Sequence, residues 1–135
     1  MQFAKSREFR DIMGYAIAWE KSGVCITYDG TVTFDEFMDA VLVIHESPDY
    51  ARLRYAIHDM GTVDQLDFSH VNMTHIVVQE LGARFTNPKI KVSVVTSDPT
   101  MSKMVETFMA MTRLDVRVFP VLHQAREWSD SIDLT

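Results

Sequence analysis

Three features of this chain predict an α/β domain, with an N-terminal β-hairpin leading into a mixed sheet of about five strands and about four covering helices. Two short runs of aromatic and β-branched residues, 15–19 and 24–28, flank Glu20-Lys21-Ser22-Gly23, which is the pattern of a hairpin. Further strand-type runs around Tyr55, Ile90 and Val116 alternate with stretches whose apolar residues recur at helical spacing. Such alternation makes the later strands parallel and joins them by right-handed crossovers.

Taken in order, residues 1–13 read as a loosely attached arm or edge strand, anchored at most by Phe3, Phe9, Ile12 and Met13. The hairpin follows, and Asp29-Gly30 marks a turn that ends its second strand. Thr33-Phe34-Asp35-Glu36 has capping-box spacing, so the threonine hydroxyl accepts from an early amide while Glu36 reaches back to the cap amide. Phe34, Phe37, Met38, Val41, Leu42 and His45 then mark the inner face of a helix, which Ser47-Pro48-Asp49 breaks. A third strand is expected over 53–59, stopped by His58-Asp59-Met60-Gly61 and followed by a long turn rich in Asp. Ser69 is placed to cap the next helix, whose inward residues read as Met73, Ile76, Val77, Leu81 and Phe85. Asn87-Pro88 ends that helix, and residues 90–96 form the fourth strand. Asp98-Pro99 supplies a cap and a first-turn proline for a helix over 99–112, with Met101, Met104, Val105, Phe108, Met109 and Met111 on its apolar arc. Residues 115–119 are the fifth strand. Pro120 opens a last helix with Leu122, Ala125 and Trp128 inward, and 129–135 read as a polar tail.

The whole of 1–135 is expected to be a single domain. Its 135 residues and 15.5 kDa suffice to bury a core without disulfides or metal. A hydrophobic fraction of 47% and a charged fraction of 24% are those of an ordinary globular protein. No run approaches the roughly 18 apolar residues of a membrane span, and the N-terminus lacks the pattern of a signal peptide. A cytoplasmic location is the expectation, to which the lone Cys25 adds weak support. The formal charge of −6, with no basic stripe, disfavours nucleic acid and favours a protein partner with basic groups.

No catalytic constellation is evident. The chain has neither a Gly-x-Ser-x-Gly elbow nor a phosphate loop, and five glycines leave little for a cofactor cradle. None of His45, His58, His70, His75 and His123 stands in a two-histidine helical pattern, so neither metal nor cofactor is expected. His58 reads as a hydrogen-bonded structural histidine and Cys25 as a buried, inert thiol. Ligands of open α/β sheets gather beyond the carboxyl ends of the strands, an edge expected to collect Asp59, Asp64, Asp67, Ser69, Ser97 and Asp98. Arg52, Arg54, Lys89, Lys91 and Arg113 fall at the opposite ends of the same strands. The methionine-rich helix has a second use as an apolar pocket, through Met101, Met104 and Phe108.

Element order, the segments VTFDEFMDAV, RYAIHDMGTVDQLDFS and KVSVVTSDP, and the closing VRVF with its Trp-bearing helix together resemble the STAS-like domains. The resemblance is nearest to the small bacterial STAS/SEC14-like, or SpoIIAA-like, proteins, and it covers about Tyr15 to Trp128. It implies a non-enzymatic binding module of bacterial regulation. The partner-docking edge carried over from it comprises Asp59, Gly61, Asp64, Asp67, Phe68, Ser69, Ser97 and Asp98. In the anti-sigma antagonists a serine opening the helix after the third strand is phosphorylated by a kinase partner. Phe68 stands at that position here and His70 replaces a glycine, which leaves Ser69 as the substitute hydroxyl. SEC14-type relatives imply the alternative, a carrier of a small hydrophobic ligand or lipid, and a homodimer is left open.

Overall fold

The computed structural model describes residues 14–132; the expected N-terminal arm and the last three residues of the expected tail lie outside them. Five strands, β1 (Tyr15–Trp19), β2 (Gly23–Thr33), β3 (Tyr55–Asp67), β4 (Lys91–Val95) and β5 (Val116–Phe119), form one sheet in sequential order. The hairpin is antiparallel, with Tyr15 opposite Tyr28 and Trp19 opposite Val24, and the other pairings are parallel. Among the described residues four α-helices accompany it: α1 (Phe34–His45), α2 (Met73–Thr86), α3 (Pro99–Thr112) and α4 (Leu122–Asp130). The mixed sheet and its helices are therefore those the sequence predicts.

Sequential strand order puts right-handed crossovers on one face, and α1 to α3 share a core there. Alternate strand residues Val24, Ile26, Tyr28, Ala56, Val92 and Val94 meet Phe34, Phe37, Val41, Ile76, Met101, Val105 and Phe108. The intervening Cys25, Tyr55, Ile57 and Val95 meet Ala125 and Leu122 of α4 on the other face. One period-two pattern thus serves two layers. Burial pushes the Cys25 thiol up to about 11, as an inert core residue requires.

Both helix-start signals at residues 33 and 98 operate. The Thr33 hydroxyl accepts from the Glu36 amide at 3.1 Å while Glu36 accepts from the Thr33 amide at 3.2 Å. Asp98 accepts from the Thr100 amide at 2.8 Å, and Pro99 follows it. At the end of α2 the buried Asn87 amide donates to the carbonyls of Tyr50 and Leu53, both at 2.8 Å, which fastens that helix end to the turn before β3.

Several expectations need correction. Asp29-Gly30 does not end β2, which runs on to Thr33 with Gly30 at φ +67°. The stretch after Asp59 is strand rather than turn. Thr27 faces Asp59 and Thr31 faces Gln65, so β3 spends two more residues than β2 over this interval and bulges to absorb them. Its Met60, Val63 and Leu66, followed by Phe68, reach the core while Gly61, Thr62, Asp64, Gln65 and Asp67 face outward. Ser69 caps nothing: α2 starts at Met73 with Asn72 as its cap, accepting from the His75 amide at 3.1 Å. On α2, Met73, Ile76 and Val77 face the core as expected, but Glu80 joins them there, whereas Leu81 and Phe85 are 39% and 91% exposed. Met111 points outward from α3 as well. The last helix begins at Leu122 and continues through Asp130, with Ser129 buried and donating to the Ala125 carbonyl at 2.8 Å, so the polar tail starts later than expected.

Candidate functional site

Beyond Asp59, β3 has lost its β4 neighbour, because their pairing ends at Asp59 opposite Val95. Among the described residues β2 and β3 alone continue, as a two-stranded parallel ribbon whose last pair is Thr33 with Asp67. The Thr62 hydroxyl ties it internally by donating to the Tyr28 carbonyl at 3.1 Å. At about 3.3 Å per residue, the ribbon carries Asp67 on the order of 20 Å from Asp59.

That projection divides the predicted edge into two groups. At the sheet end, Asp59 accepts from the Gly61 amide at 3.0 Å, and a Cβ on Gly61 would lie 3.9 Å from Val95. Ser97 and Asp98 follow Val95 after Thr96, with the Asp98 amide donating to the Thr96 hydroxyl at 3.0 Å. Asp59, Gly61, Ser97 and Asp98 therefore share one end of the sheet. Toward the ribbon tip, Asp64 and Asp67 are exposed, and the Ser69 hydroxyl donates to Asp67 at 2.8 Å. Phe68 is turned inward, its ring edge-on to Phe34 at 5.6 Å and 6.0 Å from Phe37. It anchors the tip and offers its neighbours, not itself, to solvent.

The methionine-rich helix forms one wall of a cavity of about 40 Å³. Met101, Met104 and Phe108 face Phe37, Val92 and Val94 across it, with His58 and Glu80 as its polar members. Such a volume accommodates a few water-sized groups.

Sequence reasoning placed His58 as a hydrogen-bonded structural histidine but missed the polar cluster around it, of which His58 and Glu80 line this cavity. Tyr28 and His58 share a hydrogen bond of 2.9 Å, and the His58 ring is packed 5.2 Å from that of Phe37. Burial pulls the His58 pKa down to about 4 and lifts that of Tyr28 well above its ordinary value. His45 lies 3.3 Å from Glu80 and 2.9 Å from the Gln79 amide. Glu80 Oε2 and Arg84 Nε stand 4.0 Å apart, and neither has a hydrogen-bond partner among the described residues. Ile76, Glu80 and Arg84 recur every four residues along one helix face; that spacing was the available signal.

A second missed cluster lies under α4. Arg126 donates to both Glu20 oxygens, at 3.0 and 2.8 Å, and the Tyr55 hydroxyl donates to the same carboxylate. The Arg126 bonds hold the Glu20 carboxyl below its usual range against the opposing effect of burial. This cluster clamps α4 to the hairpin turn. Among the described residues no group of three potential metal ligands converges, and no helix is long and apolar enough to cross a membrane.

No family model and no curated protein matches the chain. Solved structures do match. The anti-sigma factor antagonist SpoIIAA in its unphosphorylated form aligns with a TM-score of 0.59 at 12% identity, covering 87% of this chain and 99% of that one. The Bacillus cell fate determinant SpoIIAA in its phosphorylated form gives 0.54 at 14% identity, covering 84% and 97% respectively. An uncharacterised protein of the DUF3478 family with a SpoIIAA-like fold, from Shewanella loihica, gives 0.52 at 16% identity, covering 85% and 93%. The chain has the STAS-like fold of SpoIIAA.

Proposed function

We propose that this domain is a non-enzymatic binding module that docks a protein partner on the edge formed by the carboxyl ends of its strands. The observation that carries the reading is the β2–β3 ribbon. It projects past β4, presents Asp64 and Asp67 to solvent, and is braced from beneath by Phe68. A braced ribbon with outward carboxylates suits a partner surface bearing Lys or Arg, with the charges directing encounter and register. Asp59, Gly61, Ser97 and Asp98 would form the floor of the contact, and Ser69 its outer margin.

Fold likeness points the same way, since two of the similar structures are of an anti-sigma factor antagonist known in phosphorylated and unphosphorylated forms. The carrier alternative draws on the Met101, Met104 and Phe108 cavity. Its volume of about 40 Å³ is far below the roughly 300 Å³ at which ordinary ligand sites begin, so docking ranks first.

The test is affinity capture from cells with the wild type and with Asp64→Lys, Asp67→Lys. A protein held by the wild type and lost from the double variant, but still held by a Lys103→Glu control on α3, is the expected result. Identical recovery by all three removes the ribbon from the reading.

A further inference from the structure

We propose that the opposite end of the sheet, where β4 and β5 begin, is a binding site for a small multivalent anion bearing several phosphate groups. A cleft of about 310 Å³ opens there between the end of α2, the end of α3 and Trp128 of α4. Arg84, Lys89, Lys91, Arg113 and Arg117 line it, against the single carboxylate of Asp115. A second cleft of about 400 Å³ adjoins it through Lys89 and Lys91 and adds Arg54 and Arg52, the latter paired with Asp49 at 2.8 Å, with no carboxylate among the described residues of its lining. In a chain whose formal charge is −6, this is a concentrated field of the opposite sign, and concave walls focus such a field on a bound anion.

The ordinary explanation for cations at this end is service to helix C-termini, since α2, α3 and α4 all finish here. Lys91 performs that service: its ammonium donates to the Trp128 and Ser131 carbonyls at 3.2 and 2.7 Å. Arg117 lies over the Trp128 ring at 4.8 Å and 3.4 Å from Asp115, which holds its guanidinium at the cleft wall. Lys89 and Arg113 are exposed, and neither makes a side-chain hydrogen bond or ion pair among the described residues. Arg84 is largely buried at the back, with Nε and Nη2 lacking hydrogen-bond partners. Unspent donors on a concave, guanidinium-rich wall match the forked geometry of phosphate oxygens. The clefts are of small-ligand size, and the chain's net negative charge disfavours a nucleic-acid strand.

The probe is sodium tripolyphosphate titrated calorimetrically into the full chain at low salt, with ATP and anionic phosphatidylglycerol vesicles as parallel arms. Saturable binding of one tripolyphosphate per chain is expected, weakening as salt rises. Equal affinity for ATP assigns recognition to the phosphate chain, and tighter ATP binding adds a contact for the base; either supports the site. Lys89→Gln with Arg113→Asn, where asparagine suits the left-handed backbone at φ 61°, is expected to weaken binding at least about tenfold. Lys21→Gln with Lys103→Gln removes the same charge elsewhere and is expected to change it less than about twofold. Both pairs alter exposed residues, so circular dichroism should report unchanged folding. Absence of saturation, equal losses in the two double variants, or binding to vesicles alone overturns the proposal. None of these outcomes touches the ribbon at the other end of the sheet.

Discussion

His58 is 4% exposed, and its Nδ1 lies 2.9 Å from the Tyr28 hydroxyl. Burial moves its pKa from 6.5 to about 4; Glu80 opposes the shift and His45 adds to it. An unfolded chain takes up this proton near the ordinary value, whereas the native chain resists it until about 4. Between those limits the unfolded state binds more protons, so stability falls as pH falls. The contribution is complete above about pH 6.5 and gone below about pH 4. At about 1.4 kcal/mol per pH unit, the full span amounts to about 3 kcal/mol. Roughly 2.5 kcal/mol of it should be visible between pH 7.5 and 4.5, before most carboxylates take up protons. Urea denaturation across that range measures it. The comparison is Tyr28→Phe with His58→Leu, which removes both hydrogen-bonding groups together and leaves no partner stranded. Its stability should vary less with pH than that of the wild type by about 2.5 kcal/mol. If the two proteins follow parallel pH profiles, His58 is not buried in neutral form and the reasoning fails.

Two further outcomes test the corrected local structure. Gly30→Ala places a Cβ in the left-handed region at φ +67° and should cost about 1–2 kcal/mol in urea denaturation, with Gly30→Asn costing less. Asp98→Ala removes a working helix cap and should cost about 1 kcal/mol, while Ser69→Ala should fall within about 0.5 kcal/mol of the wild type, because Ser69 caps no helix.

What could be read in the sequence follows from the range of the forces involved. Caps at Thr33 and Asp98 act within one turn, and the strand and helix periods are local, so both helix starts and the hairpin were legible. The ribbon was not. Asp59, Gly61, Asp64 and Asp67 are turn-type residues taken singly, yet Met60, Val63 and Leu66 between them, and Phe68 after them, are held by the core over α1. Tertiary burial outweighs local preference there, and bulges disguise the strand's alternation. Residues of α2 misled for a related reason. Leu81 and Phe85 have the hydrophobicity of core residues, but Ile76, Glu80 and Arg84 occupy the inward face, and Glu80 meets His45 from α1. A contact between side chains 35 positions apart in sequence leaves no local trace. The site residues divided in the same way: those at strand ends could be placed, while the separation of Asp64 and Asp67 from Ser97 and Asp98 depended on how far β3 runs.

The ribbon's construction also bears on how its charge arises. Phe68, at the position where the SpoIIAA-like resemblance expects a phosphorylated serine, is committed to the packing of Phe34 and Phe37. The neighbouring Ser69 hydroxyl already donates to Asp67 at 2.8 Å, and α2 begins only at Met73. A phosphoryl group on Ser69 would replace that donated hydrogen bond with repulsion between anions. The amides at the start of α2, which favour a phosphate close by, fade as partners within about one turn. Asp64 and Asp67, by contrast, carry their charge without modification. A docking surface of the kind proposed would be acidic without modification, and control over its partner would have to act through the partner or through another part of the domain.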